Sequence, residues 1–217
     1  MTKRIKEALD VDMARLRTML GRTVGADAGE LGRSLRKKGE ARILDIACGA
    51  CNEADTLTNF LAELHGGEGL KVKLTGIDVR AREIDDARRR FRNRSRHDTE
   101  TGVEKEFEFL TGDATRLDGH AEMGEDFDLV VLRHQNYWNG VQTWEEIFDR
   151  ALEKLSVTGR LVITSYFDRE HRLALDAIQR LGGKLISTAT NPQSRELGTE
   201  GKSVDRRIAV FRKNETT

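Results

Sequence analysis

The stretch Leu44-Asp45-Ile46-Ala47-Cys48-Gly49-Ala50-Cys51-Asn52-Glu53 joins a β-rich run, ARILDIA (41–47), to a helical pattern that opens directly behind it. Small residues at Ala47, Gly49 and Ala50 let the chain turn sharply at the carboxyl end of a strand. A ligand can then approach main-chain N–H groups and the positive end of the next helix. That helix, residues 53–65, carries Leu57, Phe60, Leu61 and Leu64 on one face. Strand, tight turn and helix in this order open a parallel βαβ unit.

Four more β-rich runs follow: VKLTGIDV (72–79), EFEFLTGD (106–113), FDLVVLR (127–133) and GRLVITSYF (159–167). Helical patterns over residues 81–94, 143–155 and 168–181 lie among them. The alternation predicts an α/β domain with a mainly parallel sheet and helices on both faces. After Gly182-Gly183 the pattern changes. KLISTAT (184–190) and RRIAVFR (206–212) have no helix between them, only a polar loop holding the single proline, Pro192. They read as an antiparallel terminal hairpin, which brings the sheet to seven strands. Ahead of all this, residues 2–20 place Ile5, Leu9, Met13, Leu16 and Leu20 on one helical stripe. Gly21, Gly25 and Gly29 interrupt the pattern, and a short basic helix spans residues 30–38. Residues 1–40 are expected to form a helical cap on a main domain of residues 41–217. With glycines as a flexible tether, the first helix would close over the site as a lid.

The second strand ends at Gly76-Ile77-Asp78, with Val79 beside the acid, and the third at Gly112-Asp113-Ala114. An acid at the tip of strand two is placed to accept hydrogen bonds from both hydroxyls of a ribose. All three turns face one crevice. This constellation resembles the class I S-adenosylmethionine-dependent methyltransferases over residues 41–212, and so implies their Rossmann-like fold. That family's first loop reads D/E-x-G/A-x-G-x-G; here it reads Asp45-Ile46-Ala47-Cys48-Gly49-Ala50-Cys51. The resemblance implies S-adenosylmethionine as cofactor, with Ala47 and Gly49 lining it. It also implies Asp78 on its ribose and Asp113 with Ala114 on its adenine. Asp45, Cys48, Val79 and Arg133 are expected to complete the cofactor set. Cys51 stands where the family has its last glycine, a departure that narrows the room beside the methionine moiety.

The loop after strand four, Arg133-His134-Gln135-Asn136-Tyr137-Trp138-Asn139-Gly140, lies on the edge where substrates of this family sit. The D/N-P-P-Y/F/W motif of adenine and glutamine amino methylation is absent, and neither cysteine lies on this loop to serve as the nucleophile of cytosine-C5 enzymes. His134 is the candidate base, and Tyr137 is the second candidate catalytic residue. Tyr137 and Trp138 are suited to stacking on a planar substrate or attracting the sulfonium; equally, they can roof the core beside Trp144. The turn from Ala47 to Ala54 and the arginine opening the fourth loop faintly resemble the chemotaxis-receptor carboxylate methyltransferases, which implies a substrate that needs no base.

Composition excludes several other classes. Thirty-seven basic residues balance 37 acidic ones in a chain of 217 residues, so coating nucleic acid is not its main task. A local patch survives that argument: eight arginines fall between Arg80 and Arg96, a possible footing on RNA phosphates. No apolar run is long enough for a membrane span, and the amino terminus has no secretory h-region. Cys48 and Cys51 form a C-x-x-C suited to a reducing cytosol; without further ligands at zinc spacing no metal is expected. They read either as a redox pair or as small side chains filling a turn. The loop lacks the G-x-G-x-x-G spacing of nicotinamide dinucleotide sites. The expected function is cytoplasmic transfer of a methyl group to an oxygen or nitrogen of a small molecule. An RNA-modifying methyltransferase and a non-catalytic nucleoside-binding module remain as alternatives.

Overall fold

The computed structural model describes residues 3–66, 69–92, 97–98 and 102–214. Among them, seven strands of six to eleven residues form one sheet: β1 (Glu40–Ile46), β2 (Lys71–Asp78), β3 (Val103–Thr111), β4 (Phe127–Leu132), β5 (Leu155–Ser165), β6 (Gly183–Thr190) and β7 (Arg207–Lys213). Their order is β3-β2-β1-β4-β5-β7-β6. Neighbours from β3 to β5 pair in parallel, and β7 runs against both β5 and β6. A two-residue strand, His97–Asp98, adds antiparallel to the outer edge of β3, an element with no signal in the sequence pattern. Six α-helices cover the sheet: α1 (Lys3–Thr23), α2 (Gly29–Lys38), α3 (Ala54–His65), α4 (Ala81–Phe91), α5 (Val141–Glu153) and α6 (Asp168–Arg180).

Period-two alternation sorts the strand residues between two cores. Ile43, Leu129, Val131 and Val162 pack with α1 to α4, whereas Leu44, Val130, Leu132 and Ile163 pack with α5 and α6. Strand β4 is therefore buried along its whole length, as a central parallel strand must be. Helix α2 stops at Gly39, whose φ of +65° sends its N–H back to the Leu35 carbonyl. Helix α4 lies over β3, with the Phe91 ring centroid 4.5 Å from Phe107 and 5.4 Å from Phe109.

Parallel register sets the carboxyl ends of the strands along one edge. Ile46 of β1 aligns with Ile77 of β2, Asp78 with Thr111 of β3, and Leu132 of β4 with Ile163 of β5. The turns at residues 47–53, 79–80, 112–113 and 133–140 consequently leave from neighbouring points.

The amino-terminal helices are part of this body. Leu16, Met19, Leu20, Val24, Leu31 and Leu35 lie in the first core, and α1 packs on α3, β6 and β7. The lid expectation fails on two counts: Gly21 sits inside α1, and the apolar stripe of the helix's second half, Leu16, Met19 and Leu20, is already buried in the core. A swinging motion would tear core contacts. Leu20, fully buried, has the largest stake. Leu20→Ala is expected to lower unfolding free energy by about 2–5 kcal/mol through lost burial and a residual cavity. Urea denaturation measures this, and a change below about 1 kcal/mol would mean that α1 is peripheral.

Candidate active site

At the carboxyl edge the first loop turns through three left-handed residues, Ala47 (φ +56°), Gly49 (φ +55°) and Cys51 (φ +46°). Such conformations cost non-glycine residues about 1–3 kcal/mol each, so the surroundings must hold them. They do. Cys48 N–H reaches the Ile77 carbonyl at 3.2 Å, Gly49 N–H reaches Asp78 Oδ2 at 2.8 Å, and Cys51 N–H reaches the Cys48 carbonyl at 2.8 Å. Arg90, from α4, clamps the loop from outside by donating to the Ala50 and Cys51 carbonyls and to Asn52 Oδ1. Gly76 makes room beneath: a Cβ there would stand 2.9 Å from both Cys48 Sγ and the Phe109 ring.

This loop forms one wall of a cavity of about 350 Å³, and Arg80, Arg133, His134 and Tyr166 supply the other. Five residues expected from the sequence thus meet here: Ala47, Cys48, Gly49, Arg133 and His134. Asp78 adjoins them through Gly49. Its burial pulls the carboxyl upward, but Arg80 and the two backbone N–H donors outweigh that and hold it below the usual carboxylate range.

His134 is strained and tightly held. It has φ +60°, its N–H donates to Thr164 Oγ1 at 3.0 Å, and its ring stacks on Tyr166 at 4.1 Å between centroids. Its Nε2 lies 2.8 Å from Asp205 Oδ1 and 3.2 Å from the Asp205 backbone N. The backbone N–H donates to Nε2, whereas the carboxylate calls for a proton on that same nitrogen; the contact to the charged group is the shorter and favours the tautomer that donates from Nε2. Asp205 also accepts from the Thr164 hydroxyl at 2.8 Å and from Arg133 through Nε at 3.0 Å and Nη2 at 2.7 Å. Desolvation pushes the Asp205 carboxyl up, yet Arg133 and His134 prevail and hold it well below the usual range.

Several expected residues stand elsewhere. Tyr137 is buried against Phe148 with its hydroxyl on Glu145 Oε1 at 2.9 Å, facing the second core and not the cavity. The roofing role wins because the turn at Tyr137–Asn139 places that ring over α5. Asp45 is wholly buried beneath the loop. Oδ2 accepts from Cys51 Sγ at 3.1 Å, Oδ1 has no partner, and burial followed by the nearby Glu53 raises its pKa well above the usual value. It supports the loop and has no path to a ligand. Cys51 likewise faces the core, so it does not narrow the cavity as expected. Burial raises its thiol strongly. For Cys48 the Cys51 contact lowers the pKa, but burial and the surrounding carboxylates raise it further, so neither is an activated thiolate. Arg133 lines the cavity and commits three of its five N–H donors, those on Nε and Nη2 to Asp205 and one on Nη1 to Glu53 at 3.3 Å. Asp113 accepts from Thr115 N–H at 3.0 Å and Oγ1 at 2.9 Å, a cap on the turn Ala114–Gly119. Val79 is exposed beside Asp78.

Four of the six described arginines between Arg80 and Arg92 have partners within the chain, while Arg82 and Arg92 are exposed. Arg80 holds Asp78, Arg88 donates to the Phe109 carbonyl, Arg89 pairs with Asp86, and Arg90 clamps the first loop. Arg94 and Arg96 lie outside the described residues. A larger cavity, about 560 Å³, opens at the opposite edge of the sheet beside Lys38, Arg42 and Asp128. In it Lys38 Nζ and the Arg42 backbone N–H both donate to the Asp128 carboxylate, at 2.9 and 3.0 Å.

Residues 37–201 match the family described as Methyltransferase domain. The chain belongs to that family. Solved structures with the same fold include the N-methyltransferase NodS from Bradyrhizobium japonicum WM9, at 18% identity and TM-score 0.53, covering 87% of this chain and 99% of that one. An S-adenosylmethionine-dependent methyltransferase from Clostridium acetobutylicum ATCC 824 is 9% identical with TM-score 0.55, covering 93% and 99%. The structure described as conversion of a disulfide bond into a thioacetal group during echinomycin biosynthesis is 19% identical with TM-score 0.55, covering 84% and 81%. The comparison with curated proteins gave no match. This methyltransferase is an enzyme whose cofactor is S-adenosylmethionine, and its first loop fits that cofactor. A Cβ on Gly49 would stand 3.0 Å from the Arg80 guanidinium, so the glycine keeps the cradle open where a ligand must pass. No helix among the described residues is long and apolar enough to cross a membrane.

Sequence reasoning missed Asp205, Glu53, Thr164 and Tyr166. It also missed Glu170 of α6, which accepts the Tyr166 N–H at 3.3 Å and so braces the ring under His134. Burial lifts the Glu170 pKa to about 7. The folded protein therefore binds this proton more tightly than the unfolded chain does. Stability should fall by roughly 1–3 kcal/mol as pH rises from about 4.5 to 7, then level off. Glu170→Gln should flatten that decline, as followed by thermal melts from pH 5 to 8. An unchanged slope in the variant would assign the pH dependence to another group.

Proposed function

We propose that this methyltransferase methylates an oxygen or nitrogen of a small-molecule substrate in the cytoplasm, with His134 as general base and Asp205 as the group that orients it. The carrying observation is the His134–Asp205 pair in the same cavity as the first loop. With its Nε2–H held by Asp205, His134 keeps the lone pair on Nδ1, the nitrogen that takes the acceptor's proton. The bound cofactor supplies an electrophilic methyl carbon. Everything else the chain must do is position the acceptor and shed its proton.

In this reading Ala47, Cys48 and Gly49 line the cofactor, Asp78 accepts from its ribose, and Asp113 with Ala114 contacts adenine. The exposed Val79 supports that placement, because it lies beside Asp78 where an aromatic ring would cover it. A cavity of about 350 Å³ is of small-molecule size. The commitments of Arg88 and Arg90 to backbone carbonyls favour a small substrate over RNA.

Two variants test the cofactor and catalytic roles separately. Asp78→Ala should weaken S-adenosylhomocysteine binding by about ten- to a hundredfold in calorimetry, the loss of charge-assisted bonds to the ribose. Equal affinity in a folded Asp78→Ala protein would place the ribose elsewhere. His134→Ala should lower kcat by roughly 10²–10⁴-fold while leaving S-adenosylhomocysteine affinity within a few fold. The assay follows label transfer from the cofactor into a small-molecule extract. A His134→Ala enzyme with full kcat would make methyl transfer purely positional.

A further inference from the structure

A carboxylate offers about four lone-pair directions, and Asp78 uses four. Oδ1 accepts from the Arg80 N–H at 2.8 Å and from Arg80 Nε at 3.0 Å. Oδ2 accepts from the Gly49 N–H at 2.8 Å and from Arg80 Nη2 at 3.1 Å. Two of these donors are backbone groups that fix the first loop and the turn into α4. The other two come from one side chain, one donor on each oxygen. Two adjacent ribose hydroxyls would present their donors to a carboxylate in the same way, so the ribose and the Arg80 fork need the same two lone pairs.

We propose that the Arg80 side chain is an intramolecular surrogate for the ribose diol, and that the cofactor binds by exchange, its hydroxyls replacing Nε and Nη2 on Asp78. This rests on the reading of Asp78 as the ribose residue. Three further observations carry it. The guanidinium lies directly over the first loop, since its Nη2 is the atom that a Cβ on Gly49 would meet at 3.0 Å. The side chain is 60% exposed, so leaving Asp78 costs it little rearrangement of packing. A second carboxylate is waiting: Glu83 Oε1 lies 4.0 Å from Arg80 Nη1, one helical turn along α4. Arg80 thus exchanges one partner for another as the diol arrives.

The consequence is an affinity lower than the site's intrinsic one, reduced by the fraction of molecules in which Asp78 is free of the fork. Removing the competitor should raise affinity. Calorimetry with S-adenosylhomocysteine on the full chain should show Arg80→Ala binding about three- to tenfold more tightly than the unaltered protein. Added salt supplies a second readout that needs no variant. Screening weakens the Asp78–Arg80 pair, so the affinity of the unaltered protein should rise between low and high salt, while that of Arg80→Ala stays level. Weaker or equal binding by Arg80→Ala overturns the proposal, as does a salt response that the variant shares. If Asp78→Ala binds as well as the unaltered protein, the ribose assignment itself fails, whatever Arg80→Ala does.

Discussion

One carboxylate holds a whole wall of the cavity together. Asp205 binds the Arg133 fork, the Thr164 hydroxyl and the His134 ring at once, and it is almost wholly buried while doing so. A buried charge is tolerable only when it is paired and hydrogen-bonded on every side. That requirement fixes where three segments stand: the end of β4, the end of β5 and the loop into β7. Arg133 meets the same requirement through Glu53, which ties the group to the first loop as well. The strain at His134 is held by this arrangement, because a left-handed histidine survives only where its neighbours over-determine it.

How much of this was legible in the sequence follows from which signals are local. Strands β1 and β2 were readable because their apolar runs end in short turns with a small residue or an acid, and Asp78 was readable because it ends such a run. Asp205 was not. It lies 71 residues from His134, in a polar stretch just before a short strand, and only the insertion of β7 beside β5 brings the two together. Tyr137 misled for a different reason. An aromatic ring with a hydroxyl suits both a cavity and a core, and the choice depends on where Phe148 and Glu145 of α5 come to rest. The arginines of α4 looked like one basic face because their acceptors, backbone carbonyls at Phe109, Ala50 and Cys51, carry no signature in a list of side chains.

Cys51 shows how a departure from a family pattern is absorbed. Without a glycine's freedom it still adopts φ +46°, and the side chain turns inward, where its thiol satisfies one oxygen of Asp45. The cavity wall keeps its shape because the extra atoms lie behind it. The two amino-terminal helices make a similar point about layers. They add to the core on one face of the sheet, and the buried Asp12 of α1 also holds Arg195, in the loop that leads to Asp205.

Strand β7 lies inside the sheet, between β5 and β6, yet it is synthesised after both of its neighbours. The parallel portion from β1 to β5 is already synthesised when β6 is made, so the first loop and Asp78 can find their places early, as domains form while the chain grows. His134 cannot. Its carboxylate partner arrives only with the pairing of β7 between β5 and β6, and that single late event sets the geometry of the His134 side of the cavity.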